Sequence, residues 1–126
     1  MYSIKTDSRF RLVDIAMSGF FDAAGVASFI HDEQQAVARI SASDGDHILL
    51  VDVTELRLQS QETVSHLLRL IGETQNMARK TALLVGASVF RMQAKRFVQP
   101  DRIEMFGTRS EALDWLLDRG QVRSLH

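Results

Sequence analysis

Cysteine is absent from this chain, which excludes disulfides, thiolate metal sites and a cysteine nucleophile. Proline occurs once, at Pro100, so a long disordered linker is not expected. Charge of one sign is missing: 15 basic and 16 acidic residues leave a net −1. Such a balance provides no bulk field to draw in nucleic acid. No apolar run approaches the roughly 20 residues that span a bilayer. The opening "MYSIKTDSRF" lacks the apolar centre of a secretory signal. There is no GxGxxG and no Walker lysine, so nucleotide binding through either loop is not expected. These absences predict a cytoplasmic protein without membrane insertion, nucleic-acid partner or cofactor.

What is present suits one domain. The 126 residues are 45% hydrophobic and 25% charged, and a chain of this length buries about two-thirds of its unfolded surface without staples. A single unit over residues 1–126 is expected. Residues 3–21 read as two strands around a turn at Asp7, Ser8 and Arg9, because apolar residues alternate on either side. Asp22 is an N-cap for a helix over 23–42, with Val26, Phe29, Ile30, Val37 and Ile40 at helical spacing. Gly25 is a poor helix former and blurs where that helix starts.

The stretch "HILLVDV" (47–53) reads as a strand, and its continuous apolar run from Ile48 to Val51 suits burial on both faces. Ser60 is placed to cap a helix over 61–79, whose inner face is Val64, Leu67, Leu68 and Ile71. Residues 80–86 are a second buried strand. A helix over 88–98 stops before Pro100. A short strand over 102–106 follows. Thr108 and Glu111 then form a capping box ahead of a last helix, with Gly120 at its expected C-terminal cap. The order is β-β-α-β-α-β-α-β-α. It predicts an α/β fold with a mixed, mostly parallel sheet of about five strands and four helices.

Three stretches, "HILLVDVTEL", "TALLVG" and "FGTRSEALDWLL", resemble the STAS domain in its SpoIIAA-like branch, which is also similar to the lipid-binding Sec14 (CRAL-TRIO) fold. The resemblance covers about residues 2–119. It implies a bacterial, regulatory, protein-binding domain. In the anti-sigma-factor antagonists of that family, a serine in the loop after the third strand is phosphorylated by a partner kinase. This chain reads Gln59-Ser60-Gln61-Glu62 there, with Gln61 where the acceptor serine stands. Glu55 and Glu62 would repel a phosphate, which carries nearly two negative charges. The plainer role of Ser60 is a helix cap. A standard phosphoswitch is therefore not expected.

Two candidate sites remain. In parallel α/β sheets ligands bind beyond the carboxyl ends of the strands. Here those ends carry Asp52, Thr54, Ser60, Gly86, Ser88 and Gly107, a setting for a small anionic or lipophilic ligand. The same residue types also serve as turn and cap residues. A basic face on 88–98 carries Arg91, Lys95 and Arg96, fit for an anionic surface or for plain solvation. Three cations are too few for firm nucleic-acid binding.

No metal site is expected. Glu62 and His66 make only a pair, and His31, Asp32 and Glu33 point to different helix faces. His47 and the other histidines are expected at surface or capping positions. No nucleophile and base are placed together, so no enzyme activity is expected. Two functions are carried forward: a non-catalytic interaction domain with an unknown protein partner or a second copy of itself, and a small-molecule or lipid carrier. The methionines and phenylalanines that would line a carrier's pocket equally suit a packed core.

Overall fold

The computed structural model describes residues 1–40, 46–57, 78–86 and 102–119. Five strands are arranged in sequence order across one sheet. They are β1 (Tyr2–Asp7), β2 (Leu12–Gly19), β3 (Ile48–Leu56), β4 (Lys80–Leu84) and β5 (Ile103–Phe106). The first two form an antiparallel hairpin, with Tyr2 opposite Met17 and Asp7 opposite Leu12. All later pairings are parallel. Two helices are among the described residues, α1 (Ala23–Ile40) and α2 (Arg109–Leu116). The helix predicted over 88–98 lies outside the described residues. So does most of the one predicted over 61–79, whose last two residues are bends. Its expected end needs correction there: the Arg79 amide already donates to the His47 carbonyl at 2.8 Å, feeding the chain into β4.

The hairpin turn is built from its own side chains. The Asp7 carboxylate accepts the Arg9 amide at 3.0 Å, and Arg11 takes a left-handed φ of 53°. From there the Arg11 guanidinium reaches Asp46 at 2.5 Å, and its carbonyl accepts the Ile48 amide at 2.9 Å. The turn is thereby tied to the start of β3.

Strand alternation divides the core into two layers. On one face Val13, Ile15, Met17, Leu49, Val51 and Leu83 meet Val26, Phe29 and Ala36 of α1. On the other, Leu12, Ile48, Leu50, Ala82 and Leu84 meet Ala112 and Leu116 of α2. The continuous runs in β3 and β4 thus reflect burial from both sides. The hairpin alternates more simply: Tyr2 and Ile4 pack toward α1, while Ser3 and Lys5 are exposed.

Helix α1 starts where its cap directs. The Asp22 carboxylate accepts the Gly25 amide at 2.7 Å. A Cβ at Gly25 would lie 3.2 Å from that same carboxylate oxygen and 3.5 Å from the Phe21 ring. The glycine that blurred the sequence reading therefore makes room for the cap. Two buried positions, Ala36 and Glu33, lie outside the expected stripe, and Ile30, Val37 and Ile40 are only partly buried. Glu33 is 3% exposed and sits with Val26, Phe29 and Ala36 on the sheet side.

The end of α2 also differs from expectation. Its C-cap is Leu117, and Asp118 takes the left-handed turn at φ 59°. Gly120, the expected cap, lies outside the described residues. The difference has an electrostatic cause. Lys80 donates to the Trp115 carbonyl at 2.9 Å and to the Asp118 carboxylate at 2.6 Å. A cation at the negative end of the helix dipole stabilises that end.

Candidate functional site

The carboxyl end of the parallel sheet gathers several of the expected residues, although not as simple strand tips. Asp52 and Thr54 lie inside β3, which runs on to Leu56. The pairing with β2 slips here: Ala16 faces Asp52, but Ser18 faces Glu55. β3 therefore holds one extra residue, a bulge. The Asp52 carboxylate oxygen Oδ1 accepts the Thr54 amide at 2.9 Å and the Thr54 hydroxyl at 2.6 Å. The bulge frees a backbone amide from the ladder, and the aspartate satisfies it. The bulge also explains why Val53 and Leu56, three apart, both pack toward α1.

Gly86 follows β4 and Gly107 follows β5, both exposed. Among the described residues, nothing lies within 4 Å of the position a Cβ would take at either. Ser60, Ser88, Arg91, Lys95 and Arg96 lie outside the described residues.

Next to Gly107 the chain enters α2 through a cap. The Thr108 hydroxyl oxygen accepts the Glu111 amide at 3.3 Å, and the hydroxyl donates to the Glu111 carboxylate at 2.9 Å. The predicted capping box is therefore present in a variant form, its glutamate reaching the threonine hydroxyl.

Two residues that the sequence reading did not single out complete this region. Arg109, the first residue of α2, pairs with Asp14 of β2 through both guanidinium Nη atoms, one contact being 3.3 Å. Asp14 raises the Arg109 pKa, first through the hydrogen bond and then through its charge, and Asp52 adds to it. One arginine thus answers two carboxylates from adjacent strands. A signal existed for each. Asp14 interrupts the Leu12-Asp14-Ala16 face of an otherwise apolar strand. Arg109 is a cation at a helix N-terminus, where the dipole disfavours positive charge.

Along the flank of α2, on the hairpin side, runs a groove of about 390 Å³. Leu12, Leu113 and Leu117 provide apolar lining, and Lys5, Asp14, Arg109 and Arg119 line it with charge. Helix α2 packs over β3, β4 and β5.

At the opposite, amino end of the sheet, His47 is 1% exposed rather than at the surface. Its expected surface or capping role is corrected. It immediately precedes the buried strand β3 and shares the α1 side with Leu49 by alternation. Both ring nitrogens, like the buried Thr81 hydroxyl, lack a hydrogen-bond partner among the described residues. Burial lowers the His47 pKa, with Asp46 opposing. Among the described residues no group of three or more His, Cys, Asp or Glu could hold a metal. No helix among them is long and apolar enough to cross a membrane.

With strand order and helix placement established, a solved structure supplies the comparison. An uncharacterized protein of the DUF3478 family from Shewanella loihica PV-4, described as having a SpoIIAA-like fold, matches with a TM-score of 0.67 over 92% of each chain at 17% identity. The fold is SpoIIAA-like. No family model and no curated protein matches the sequence. The resemblance carried by the strand and closing-helix motifs therefore holds at the level of the SpoIIAA-like fold.

Proposed function

We propose that this chain is a non-catalytic SpoIIAA-like domain that docks a protein partner, in the cytoplasm and without the standard phosphoacceptor serine. One observation carries the reading. The large apolar side chains most exposed among the described residues, Met1 at 83% and Phe20 at 67%, belong to one corner of the sheet. Met1 is fastened there through its backbone: the Ser18 amide donates to the Met1 carbonyl at 2.8 Å, two residues before Phe20. The corner adjoins the carboxyl end of β3, since the Arg57 amide donates to the Gly19 carbonyl at 3.0 Å. Exposed apolar side chains beside polar residues are a common mark of a protein-binding surface.

The polar groups at the carboxyl end of the sheet support binding rather than chemistry. Asp52 holds the bulge, Arg109 holds Asp14, and Thr108 holds the start of α2. Each is committed to the framework.

Phe20→Asp tests the reading. Sedimentation of the purified chain, together with capture of partners from its host, should show loss of a self-associated or partner-bound species present in the parent. Unchanged association would refute this corner as the docking surface. A second reading, a small-molecule carrier, is favoured by the groove beside α2.

A further inference from the structure

The hairpin has a second face, opposite α1. On that side α2 packs over β3, β4 and β5, and its flank forms one wall of the groove against β1 and β2. Leu12 is buried at the base of this space, and Leu113 and Leu117 come from the helix wall. Phe10, an exposed aromatic at the hairpin turn, borders it. The volume of about 390 Å³ falls toward the small end of the roughly 300–1,000 Å³ range of small-molecule sites.

Charge distinguishes this space from an ordinary surface furrow. Three cations, Lys5, Arg109 and Arg119, line it with two carboxylates, Asp7 and Asp14. Both carboxylates are already matched. Asp7 is bound by Arg9 at 3.2 Å, and Asp14 by Arg109. Arg119 leans on Asp114 at 3.3 Å. Lys5 is left with no ion-pair partner among the described residues, at the edge of an apolar floor. An organic anion complements that arrangement: its charge meets Lys5, and its apolar body covers the leucines.

We infer that the groove between the β1–β2 hairpin and α2 binds a small amphipathic carboxylate, with Lys5 receiving the carboxylate and Leu12, Leu113 and Leu117 receiving the apolar body. The site lies along the side of α2, away from the Phe20 corner. It stands or falls independently of the docking reading.

Octanoate, below its micellar concentration, is the probe, with octylammonium as the cation of equal chain length. Titration into ¹⁵N-labelled full chain should move amide resonances in residues 5–14 and 109–119 in a saturable manner. Octylammonium should move them at least about tenfold less tightly. Lys5→Glu should weaken octanoate binding by about tenfold or more, the scale of one charge-assisted hydrogen bond. Because Lys5 is in an edge strand, Lys5→Gln provides a milder variant if the glutamate disturbs the hairpin, and it should weaken binding in the same direction. No saturable shift in the two segments would overturn the inference. So would equal binding of the two probes, unchanged affinity in the Lys5 variants, or shifts confined to the carboxyl end around Gly86 and Gly107.

Discussion

A single carboxyl group illustrates how far one residue can set the behaviour of this protein. Glu33 occupies a core position of α1, and burial pushes its pKa from 4.5 up to about 7. A carboxyl whose pKa is higher in the folded than in the unfolded chain favours folding fully below the unfolded value. That contribution is lost as pH rises toward the folded value. Stability should therefore fall between about pH 4.5 and 7 by up to about 3 kcal/mol, then level off. Glu33→Gln should remove this slope and leave the variant more stable than the parent at pH 8. Urea titrations across that range would show it, and parallel pH profiles would disprove it. His47 acts with the opposite sign. Its lowered pKa gives stability that is present above pH 6.5 and lost as pH falls below it. The slope that persists in Glu33→Gln at acid pH should thus run the other way. Neither residue's burial was legible as such. Glu33 does fall on the helical spacing of Val26, Phe29 and Ala36, but a charged side chain there reads first as solvent-facing.

At the level of elements, the ends of α2 show which local signals suffice. The Thr108 cap was legible because the bond from the Glu111 amide to the Thr108 hydroxyl joins residues three apart in sequence. Thr108→Ala should cost about 1 kcal/mol, measured by thermal or denaturant unfolding, and a loss within error would mean the cap is redundant with the Asp14–Arg109 pair. The other end was misplaced because its stabilising partner, Lys80, is 35 residues from Trp115. The same contrast appears in β3. Its apolar run marked a buried strand, yet the bulge at Asp52 and Thr54 is defined by its slipped register with β2. That register belongs to two strands together. Asp52, read as a ligand position at a strand's carboxyl end, instead holds the strand's irregularity. Tyr2 shows the same reach, donating its hydroxyl to Asp32 at 2.5 Å and stacking edge-on with Phe29 at 5.4 Å. Those contacts fasten the first strand to α1.

For the whole molecule, strand order determines where stability resides. β2, β3 and β4 are flanked on both sides, whereas β1 and β5 are the outer strands. Ile48, Leu50 and Ala82 are completely buried. Amide hydrogen exchange should be slowest in β2, β3 and β4, with β1 opening at lower free energy. Uniform protection across the sheet would contradict this ranking. The same order leaves the second face of the hairpin as a wall of the groove, so the geometry that makes β1 an outer strand also creates the space beside α2.

Composition and patterning by themselves determined the kind of chain this is: cysteine-free, near-neutral, and built of strands alternating with helices around a mostly parallel sheet. They sufficed because a two-residue or 3.6-residue period is a property of neighbouring positions, and caps act within one turn. Tertiary structure alone decided the rest. It paired Arg109 with Asp14 within the field of Asp52, buried His47 and Glu33, set the bulge in β3, and brought Lys5 and Leu113 to one groove. Each of these depends on residues tens of positions apart being brought to one place. Coulomb and desolvation energies follow distance and burial in space, which spacing along the chain does not specify.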